Sequence, residues 1–271
     1  MLFDSHMHLN NEDLTDSQRA ELAREIGASD VSYAVDIGFN LESSALAAGH
    51  AEKYPWCYAA AGYHPHDAKE MDDMGFQMIR ALAKKPKVVA IGEIGLDFHY
   101  DHSPRDVQRE CFRKQIRLAN ELKMPIVIHA READEEVLRI LREEQAFSNE
   151  RTSWFPKIQG APDARVLLHC FSGSAELARQ YVRLGGTISV AGPITYKNAR
   201  KGVEVVMEVP IDRLLVETDA PYLAPEPMRG KRNKTPYVEY TARKVAEIKG
   251  LAYEEAAKAT CENAKRFYGI S

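Results

Sequence analysis

The sequence predicts an α/β protein in which eight parallel strands close into a barrel surrounded by helices, the (β/α)8 or TIM-barrel fold. Short apolar segments alternate with longer amphipathic ones along the chain, which is typical of a parallel sheet. The alternation is repeated eight times without a linker or a low-complexity stretch. The length of 271 residues suits one such barrel, so we expect a single domain over residues 1–271.

An open, doubly wound sheet is the alternative fold for the same alternation. That fold often has a G-x-G-x-x-G turn after its first strand, where it binds a dinucleotide. No such turn follows the first apolar segment of this sequence. The barrel is therefore the favoured interpretation.

Eight apolar segments are predicted to be the strands of the barrel. Each is short enough for a strand and is bounded by polar or turn-forming residues. The predicted strands are residues 2–9, 31–39, 57–63, 88–95, 125–130, 166–171, 186–191 and 214–218.

Helix starts are indicated by capping residues. Thr15–Gln18 has the pattern of a capping box and predicts a helix to residue 26. Asn40 is a predicted N-cap, and Ser103 followed by Pro104 predicts an N-cap with proline at the first helical position. Residues 148–163 are expected to form an irregular insertion. The predicted helices span residues 15–26, 40–54, 72–85, 103–123, 133–145 and 174–184, followed by two from residue 236 onward that separate near Gly250.

The composition excludes a protein that coats nucleic acid through its overall charge. The formal net charge is -4 and the pI about 6.2, whereas such proteins have a pI above about 9. The four cysteines form no C-x-x-C pair, which indicates a reducing compartment. No signal peptide is evident, and no apolar segment approaches the ~18 residues of a membrane span. We therefore expect a cytoplasmic protein that does not associate with a membrane and has no obligate protein partner.

Polar residues that can bind metal lie at the predicted carboxyl ends of the strands, the face that carries the active site of a TIM barrel. Because alternate side chains of a strand face the same side, His6 and His8 can bind one ion together. Of the nine histidines, only His50 lies within a predicted helix. The candidate site residues are His6, His8, His64, His66, Glu93, His129, His169 and Asp219.

Each of these residues has an ordinary structural explanation when it is taken alone. An H-x-H triplet is often accidental, His169 could be a hydrogen-bonded core histidine, and Asp219 could cap a turn. Glu93 is harder to explain, because it lies between glycines in an apolar segment where an unpaired carboxylate is costly. Taken together, the residues favour a metal site. Glu217 faces the same side as Asp219 and is interpreted as a supporting residue rather than a ligand.

The candidate residues suit two divalent ions. Imidazole and carboxylate groups bind zinc, and carboxylate-rich sites also accept manganese or magnesium. The strand of Glu93 lies between the two histidine groups, so Glu93 is the predicted bridging ligand. The remaining ligands are His6, His8 and Asp219 for the first ion and His129 and His169 for the second.

Two basic features are candidates for contact with an anionic substrate. Arg131 follows His129 by two residues and is expected to point the same way. Residues Lys231 and Arg232 belong to a basic loop after the eighth strand, and loops near strands seven and eight of barrels often bind phosphate. Arginine can bind phosphate through two hydrogen bonds, whereas lysine acts as a point charge. The alternative for this loop is an ordinary solvated run of charges.

Five motifs, in this order, resemble the TatD-type DNase family of metal-dependent hydrolases. They are Phe3–His8, Ala61–His66, Ala90–Asp97, His169–Gly173 and Glu217–Leu223. The resemblance extends from the first strand to the last helix. It implies a TIM barrel of the amidohydrolase-like kind and a divalent-metal-dependent deoxyribonuclease with the ligand set given above.

The resemblance also implies roles for individual residues. Asp219 would accept a proton as well as bind the first ion, and His64 would lie beside the substrate. His64 or its neighbour His66 could position the phosphate or protonate the leaving oxygen. The residues that the resemblance places facing the phosphodiester are Arg131 and the stretch Lys231, Arg232 and Asn233.

The leading functional hypothesis is hydrolysis of DNA from an end by metal-activated water, with Glu93, Asp219 and His64 as catalytic residues. Single strands or frayed ends are the expected substrate. One alternative is a small-molecule amidohydrolase or phosphoesterase, and another is an ester hydrolase acting on aminoacyl-RNA. A non-catalytic nucleic-acid-binding or scaffold protein is the third, but we would expect it to have lost part of the ligand set.

Overall fold

The structure, a computed structural model, describes residues 1–271 and contains eight parallel strands paired in sequence order. The barrel closes where Met7 pairs with Ala220 and the amide of Asp219 donates to the carbonyl oxygen of His6 at 2.9 Å. The predicted (β/α)8 fold is confirmed. The strands are β1 (Leu2–Met7), β2 (Val31–Ile37), β3 (Cys57–Ala61), β4 (Val88–Asp97), β5 (Ile126–Arg131), β6 (Val166–Leu168), β7 (Thr187–Val190) and β8 (Leu214–Val216).

Ten α-helices accompany the strands. None of them combines the length and the apolar character that crossing a membrane requires. The helices are α1 (Asp16–Gly27), α2 (Leu41–Lys53), α3 (Asp73–Leu82), α4 (Arg105–Leu122), α5 (Asp134–Glu143), α6 (Asn149–Ser153), α7 (Ala175–Arg183), α8 (Arg200–Glu208), α9 (Val238–Lys249) and α10 (Tyr253–Tyr268).

Helix α8 is absent from the sequence prediction, which passes directly from the seventh strand to the eighth. The helix has nine residues, and its N-cap, Ala199, makes no side-chain hydrogen bond. Capping residues such as serine or aspartate are the main sequence signal for a helix start. Without one, a short helix is easily overlooked.

The capping predictions have mixed outcomes. The capping box at Thr15 and the N-cap at Asn40 are both confirmed. The prediction for Ser103 is wrong, because Pro104 is the N-cap and makes no side-chain hydrogen bond. The hydroxyl of Ser103 instead donates to the carbonyl oxygen of His66 at 2.7 Å and accepts from the amide of Lys69. Ser103 thus fixes the loop after β3 rather than the helix.

The segment 148–163 is more ordered than predicted, because it contains α6. Arg151 of this helix is fully buried and connects three parts of the chain. Its guanidinium donates to the carbonyl oxygens of Ala164 and Met124, both at 2.8 Å, and to Oδ1 of Asn120 at 2.7 Å. The segment therefore ties the end of α4 to the strands that follow it.

An apolar layer closes the barrel below its carboxyl end. It includes Phe3, Ala90, Val127 and Leu167, each of which precedes a candidate site residue on the same strand, or just after it, by two or three positions. The C-terminal helix α10 packs against this layer through Phe267 and neighbouring residues. The polar strand ends thus rest on a well-packed base.

Replacing Arg151 by alanine should destabilise the fold by about 3 kcal/mol, because three acceptors lose a fully buried donor at once. The midpoint of urea denaturation measures this change. Arg183→Ala, which removes an exposed arginine from α7, should change stability by less than about 0.5 kcal/mol. A midpoint for Arg151→Ala equal to that of the wild type would contradict the anchoring role.

Candidate metal centre

The Glu93 carboxylate lies at the centre of the candidate site and is almost fully buried. Its Oε1 atom faces three imidazoles. Nδ1 of His129 and Nε2 of His169 each lie 2.8 Å away, and Nε2 of His64 lies 3.5 Å away. Three separate strand ends thus converge on one carboxylate oxygen.

The second carboxylate oxygen of Glu93 faces the histidines of β1. Its Oε2 atom is 3.5 Å from Nε2 of His6 and 3.9 Å from Nε2 of His8. Oδ1 of Asp219 lies 3.7 Å and 3.5 Å from the same two nitrogens. Glu93 therefore lies between two groups of donors, and the group around Oε1 includes His64 in addition to the predicted ligands.

Two glycines in β4 allow this close approach. Gly95 has φ of +149°, and a Cβ built there would lie 1.9 Å from the carbonyl oxygen of His129. A Cβ at Gly92 would lie 2.7 Å from Cβ of Val127. Any side chain at these positions would push β4 and β5 apart. The glycines on either side of Glu93 thus bring it against His129.

The hydrogen bonds of the histidines fix which ring nitrogen carries a proton. Nδ1 of His8 lies 2.9 Å from the carbonyl oxygen of Ile37, and Nδ1 of His169 lies 3.3 Å from Oε1 of Glu217. Since carbonyl and carboxylate oxygens only accept, both Nδ1 atoms donate. In the neutral rings, each Nε2 then directs a lone pair at the cluster. Histidines that bind metal commonly make this second hydrogen bond.

The chemistry of the donor set fits divalent cations. If the rings of His8 and His169 are neutral, their Nε2 lone pairs face carboxylate oxygens, and the Nε2 atoms of His6 and His8 lie only 3.2 Å apart. All the ion pairs of Glu93 are with histidines. A buried group of lone pairs and acids is costly unless a proton or a metal ion lies among them.

The buried groups also shift one another's protonation. Burial favours the neutral form of Glu93, but the charge of His169 and the hydrogen bonds from His129 and His169 outweigh it and hold the pKa of Glu93 well below its usual value. Burial opposes the charge on His169, but Glu93 and Glu217 together raise the pKa of His169 well above normal. Burial lowers the pKa of His64 to about 3. Positive charge is thus strongly favoured next to Glu93.

Glu217 supports His169, consistent with its interpretation as a residue outside the ligand set. It is fully buried, and its Oε1 atom accepts the amide of Cys170 at 2.7 Å as well as the His169 ring. Its Oε2 atom accepts the hydroxyl of Ser189 at 2.6 Å. These hydrogen bonds fix both the carboxylate and the ring of His169.

Asp97 is a site residue that the sequence analysis missed. Its Oδ2 atom lies 2.9 Å from Nε2 of His66 and 3.1 Å from Nε2 of His129. Oδ1 accepts the amides of His99 and Tyr100. Burial raises the pKa of Asp97, but the hydrogen bonds from His129, the Tyr100 amide and His66 outweigh it and lower that pKa. The strand was predicted to end at residue 95, before Asp97. Asp97 follows Glu93 by four residues, so both side chains face the same side of an extended strand, and this spacing could have identified Asp97.

Two cavities open from the centre, with volumes of about 690 and 750 Å³. We call them the aromatic cavity and the basic cavity. The aromatic cavity contains Phe39, Tyr100 and Tyr222, and the basic cavity contains Arg200 and Lys201. They share the residues His129, Arg131, Asp219 and Leu223.

The predicted phosphate contacts are placed differently from one another. Arg131 is exposed and lines both cavities, with its guanidinium 4.8 Å from the centre of the Tyr100 ring. His66 lines the aromatic cavity. Lys231 and Arg232 are exposed and line neither cavity. The charge of a loop does not reveal its direction, so this placement could not be predicted from the sequence.

The sequence matches the family described as TatD related DNase over residues 3–269. The chain belongs to the TatD-related DNase family. It is therefore a metal-dependent hydrolase, as the motifs predicted, and the hypothesis of a non-catalytic protein is disfavoured.

Individual TatD relatives match along nearly their whole length. The uncharacterized metal-dependent hydrolase YabD of Bacillus subtilis is 45% identical, and the match covers 100% of both chains. The 3'-5' ssDNA/RNA exonuclease TatD of Citrobacter rodentium is 33% identical, with 100% of this chain and 98% of the relative covered. The crystal structure of YJJV, a TatD homolog from Escherichia coli, has a TM-score of 0.86 and 27% identity, covering 100% of this chain and 98% of that one.

Divalent metal should stabilise this TatD-family protein. At a free metal concentration one hundred times the Kd, the gain is about 2.7 kcal/mol, which corresponds to a Tm rise of about 5–10 °C. In Glu93→Ala the rise should fall below about 2 °C, since both groups of donors lose their shared carboxylate. Differential scanning calorimetry of chelator-treated protein measures both values. The matched control is Glu176→Ala, an exposed acid on α7, and a full rise in Glu93→Ala would be inconsistent with a shared centre.

Glu217→Gln should weaken metal affinity by about 10- to 100-fold while the protein remains folded. A carboxylate accepts hydrogen bonds at both oxygens, whereas the amide that replaces it has one NH2 group that can only donate. One side of the network around Glu217 is then lost, and the His169 ring loses its fixed orientation. Competition with a metal-sensitive chelator dye gives the affinity, and the Tm in chelator reports on folding. Glu176→Gln is the control. Wild-type affinity in Glu217→Gln, with the fold intact, would exclude the positioning role.

Proposed function

We propose that this chain is a divalent-metal-dependent nuclease that hydrolyses DNA phosphodiester bonds from the end of a strand. The observation that carries the proposal is the position of Glu93, whose two oxygens face two different groups of donors. Two-ion centres of this kind are common in enzymes that displace groups at phosphorus. The name of the Citrobacter relative, which specifies a single-stranded DNA and RNA exonuclease, agrees with it.

The proposed centre holds two ions, with Glu93 as the shared ligand. Zinc, manganese and magnesium are the candidates, because the donors are imidazoles and carboxylates. When bound, such ions neutralise phosphate oxygens and lower the pKa of a water molecule. The other proposed ligands are His6, His8 and Asp219 on one side and His129 and His169 on the other.

Side chains around the centre would position the phosphate and move the proton. The Asp219 side chain is 14% exposed and lines both cavities, so it can accept the proton of the attacking water. The amide of His66 donates to Nδ1 of His64 at 3.1 Å, which leaves the proton of the neutral His64 ring on Nε2. That Nε2–H can donate to a phosphate oxygen, which favours positioning over proton donation for His64. Arg131 can bind phosphate oxygens from the rim.

The proposal predicts metal-dependent shortening of DNA. End-labelled single- and double-stranded DNA are incubated with metal-free protein, and magnesium, manganese or zinc is then added in turn. We expect a ladder of shortened products, faster on single strands, that disappears with chelator. Glu93→Ala should lower the rate by more than about a hundredfold, because losing even an outer partner of a metal ligand can cost that much.

Glu176→Ala is the control for this assay and should retain the wild-type rate. Circular dichroism confirms that each variant is folded. Full nuclease activity in folded Glu93→Ala would refute the two-ion scheme. No cleavage of DNA, together with rapid turnover of small esters or amides, would instead support a small-molecule hydrolase.

A further inference from the structure

The basic cavity contains two cations for which the proposed reaction has no role. Arg200 and Lys201 line this cavity together with His169 and Asp219 of the metal centre. The cavity volume of about 750 Å³ is in the range of sites for drug-sized ligands and exceeds what a single phosphate needs. A ligand at the metal centre can therefore extend as far as these two side chains.

Arg200 and Lys201 are not held by hydrogen bonds or ion pairs, although the charge of Lys201 is near enough to Asp134 of α5 to oppose the effect of burial on the pKa of that carboxyl group. Both are exposed, and neither side chain makes a hydrogen bond or lies within 4.0 Å of a carboxylate, unlike Arg179 and Lys249 in the neighbouring helices α7 and α9. They occupy the first two positions of α8, whose first turn has no acidic residue. Cations at that end of a helix are electrostatically unfavourable. Helix stability therefore does not explain their presence.

The aromatic cavity has the opposite character. Apart from the shared Arg131, its basic side chain is Lys69, which is already engaged because Nζ donates to the carbonyl oxygen of His102 at 3.0 Å. Its outer wall also carries aromatic rings and acids, which are Phe39, Tyr100, Tyr222, Glu12 and Asp67. Outside the shared residues, the basic cavity is lined by one acid, Glu132, whose Oε1 lies 2.7 Å from Nδ1 of His99. A polyanion at the centre would therefore extend into the basic cavity, where two cations without ion pairs outnumber that acid.

We propose that Arg200 and Lys201 form a second phosphate subsite, which binds a backbone phosphate next to the one that is cleaved. The inference rests on the proposed nuclease function and specifies its substrate further. The substrate is a polynucleotide strand that fills the basic cavity with at least one phosphate beyond the scissile bond. Exposed phosphate contacts of this kind add affinity without reading the base sequence.

Binding of a fluorescent single-stranded oligonucleotide of about eight nucleotides tests the subsite without cleavage. Fluorescence anisotropy in chelator, over a series of salt concentrations, gives the Kd and its salt dependence. In Arg200→Ala/Lys201→Ala the Kd should rise by about tenfold or more. The slope of log Kd against log salt should fall by about 1.4, because each lost contact to a single strand removes about 0.7.

Kinetics with metal separate this role from catalysis. For the oligonucleotide, the double variant should raise KM and leave kcat within about twofold. For bis(4-nitrophenyl) phosphate, a diester too short to reach the subsite, kcat/KM should not change. Arg200→Lys/Lys201→Arg keeps both charges and should retain most of the affinity. Arg183→Ala/Lys258→Ala removes the same charge from exposed positions outside the cavity and is the control.

The outcomes distinguish the two proposals. If the wild type cleaves oligonucleotides and the Arg200/Lys201 double variant binds them with unchanged Kd and salt slope, the subsite is refuted and the nuclease function stands. An equal loss in the Arg183/Lys258 control also refutes it, because the effect would then come from overall charge. If the wild type hydrolyses the small diester but neither binds nor cleaves oligonucleotides, both proposals fail.

Discussion

The structure depends on a buried carboxylate surrounded by imidazoles. Glu93 is nearly inaccessible to water, and every ion pair it makes is with a histidine. Such a charge is costly in a protein interior unless cations compensate it. Protonated histidines can do so in part, and metal ions can do so fully. The requirement for positive charge beside Glu93 therefore links the fold to its chemistry.

The barrel meets this requirement through features in three places. The apolar layer closed by α10 gives the strand ends a rigid base. The glycines at positions 92 and 95 let β4 approach β5 closely enough for Glu93 to reach His129. Glu217 and Asp97 fix the rings of His169 and His129 from outside the ligand set. Ligands held in this way need little reorganisation when an ion binds.

Much of this arrangement could be predicted because its signals are local. Strand alternation and the position of histidines at strand ends were sufficient to bring these residues together around Glu93. What was missed depends on tertiary context. Helix α8 lacks a capping residue, and the role of Arg151 follows only from three distant acceptors. The basic loop at Lys231 suggested phosphate contact, but loop direction is set by packing that the sequence does not reveal.

The most direct test of the shared centre is a crystal structure of the protein with manganese, with data collected at the manganese absorption edge. The account predicts two anomalous peaks about 3.5–4 Å apart, one on each side of the Glu93 carboxylate. One peak would lie among His6, His8 and Asp219, and the other beside His129 and His169. A map with no peak at Glu93, or with these side chains turned away from any bound ion, would contradict it.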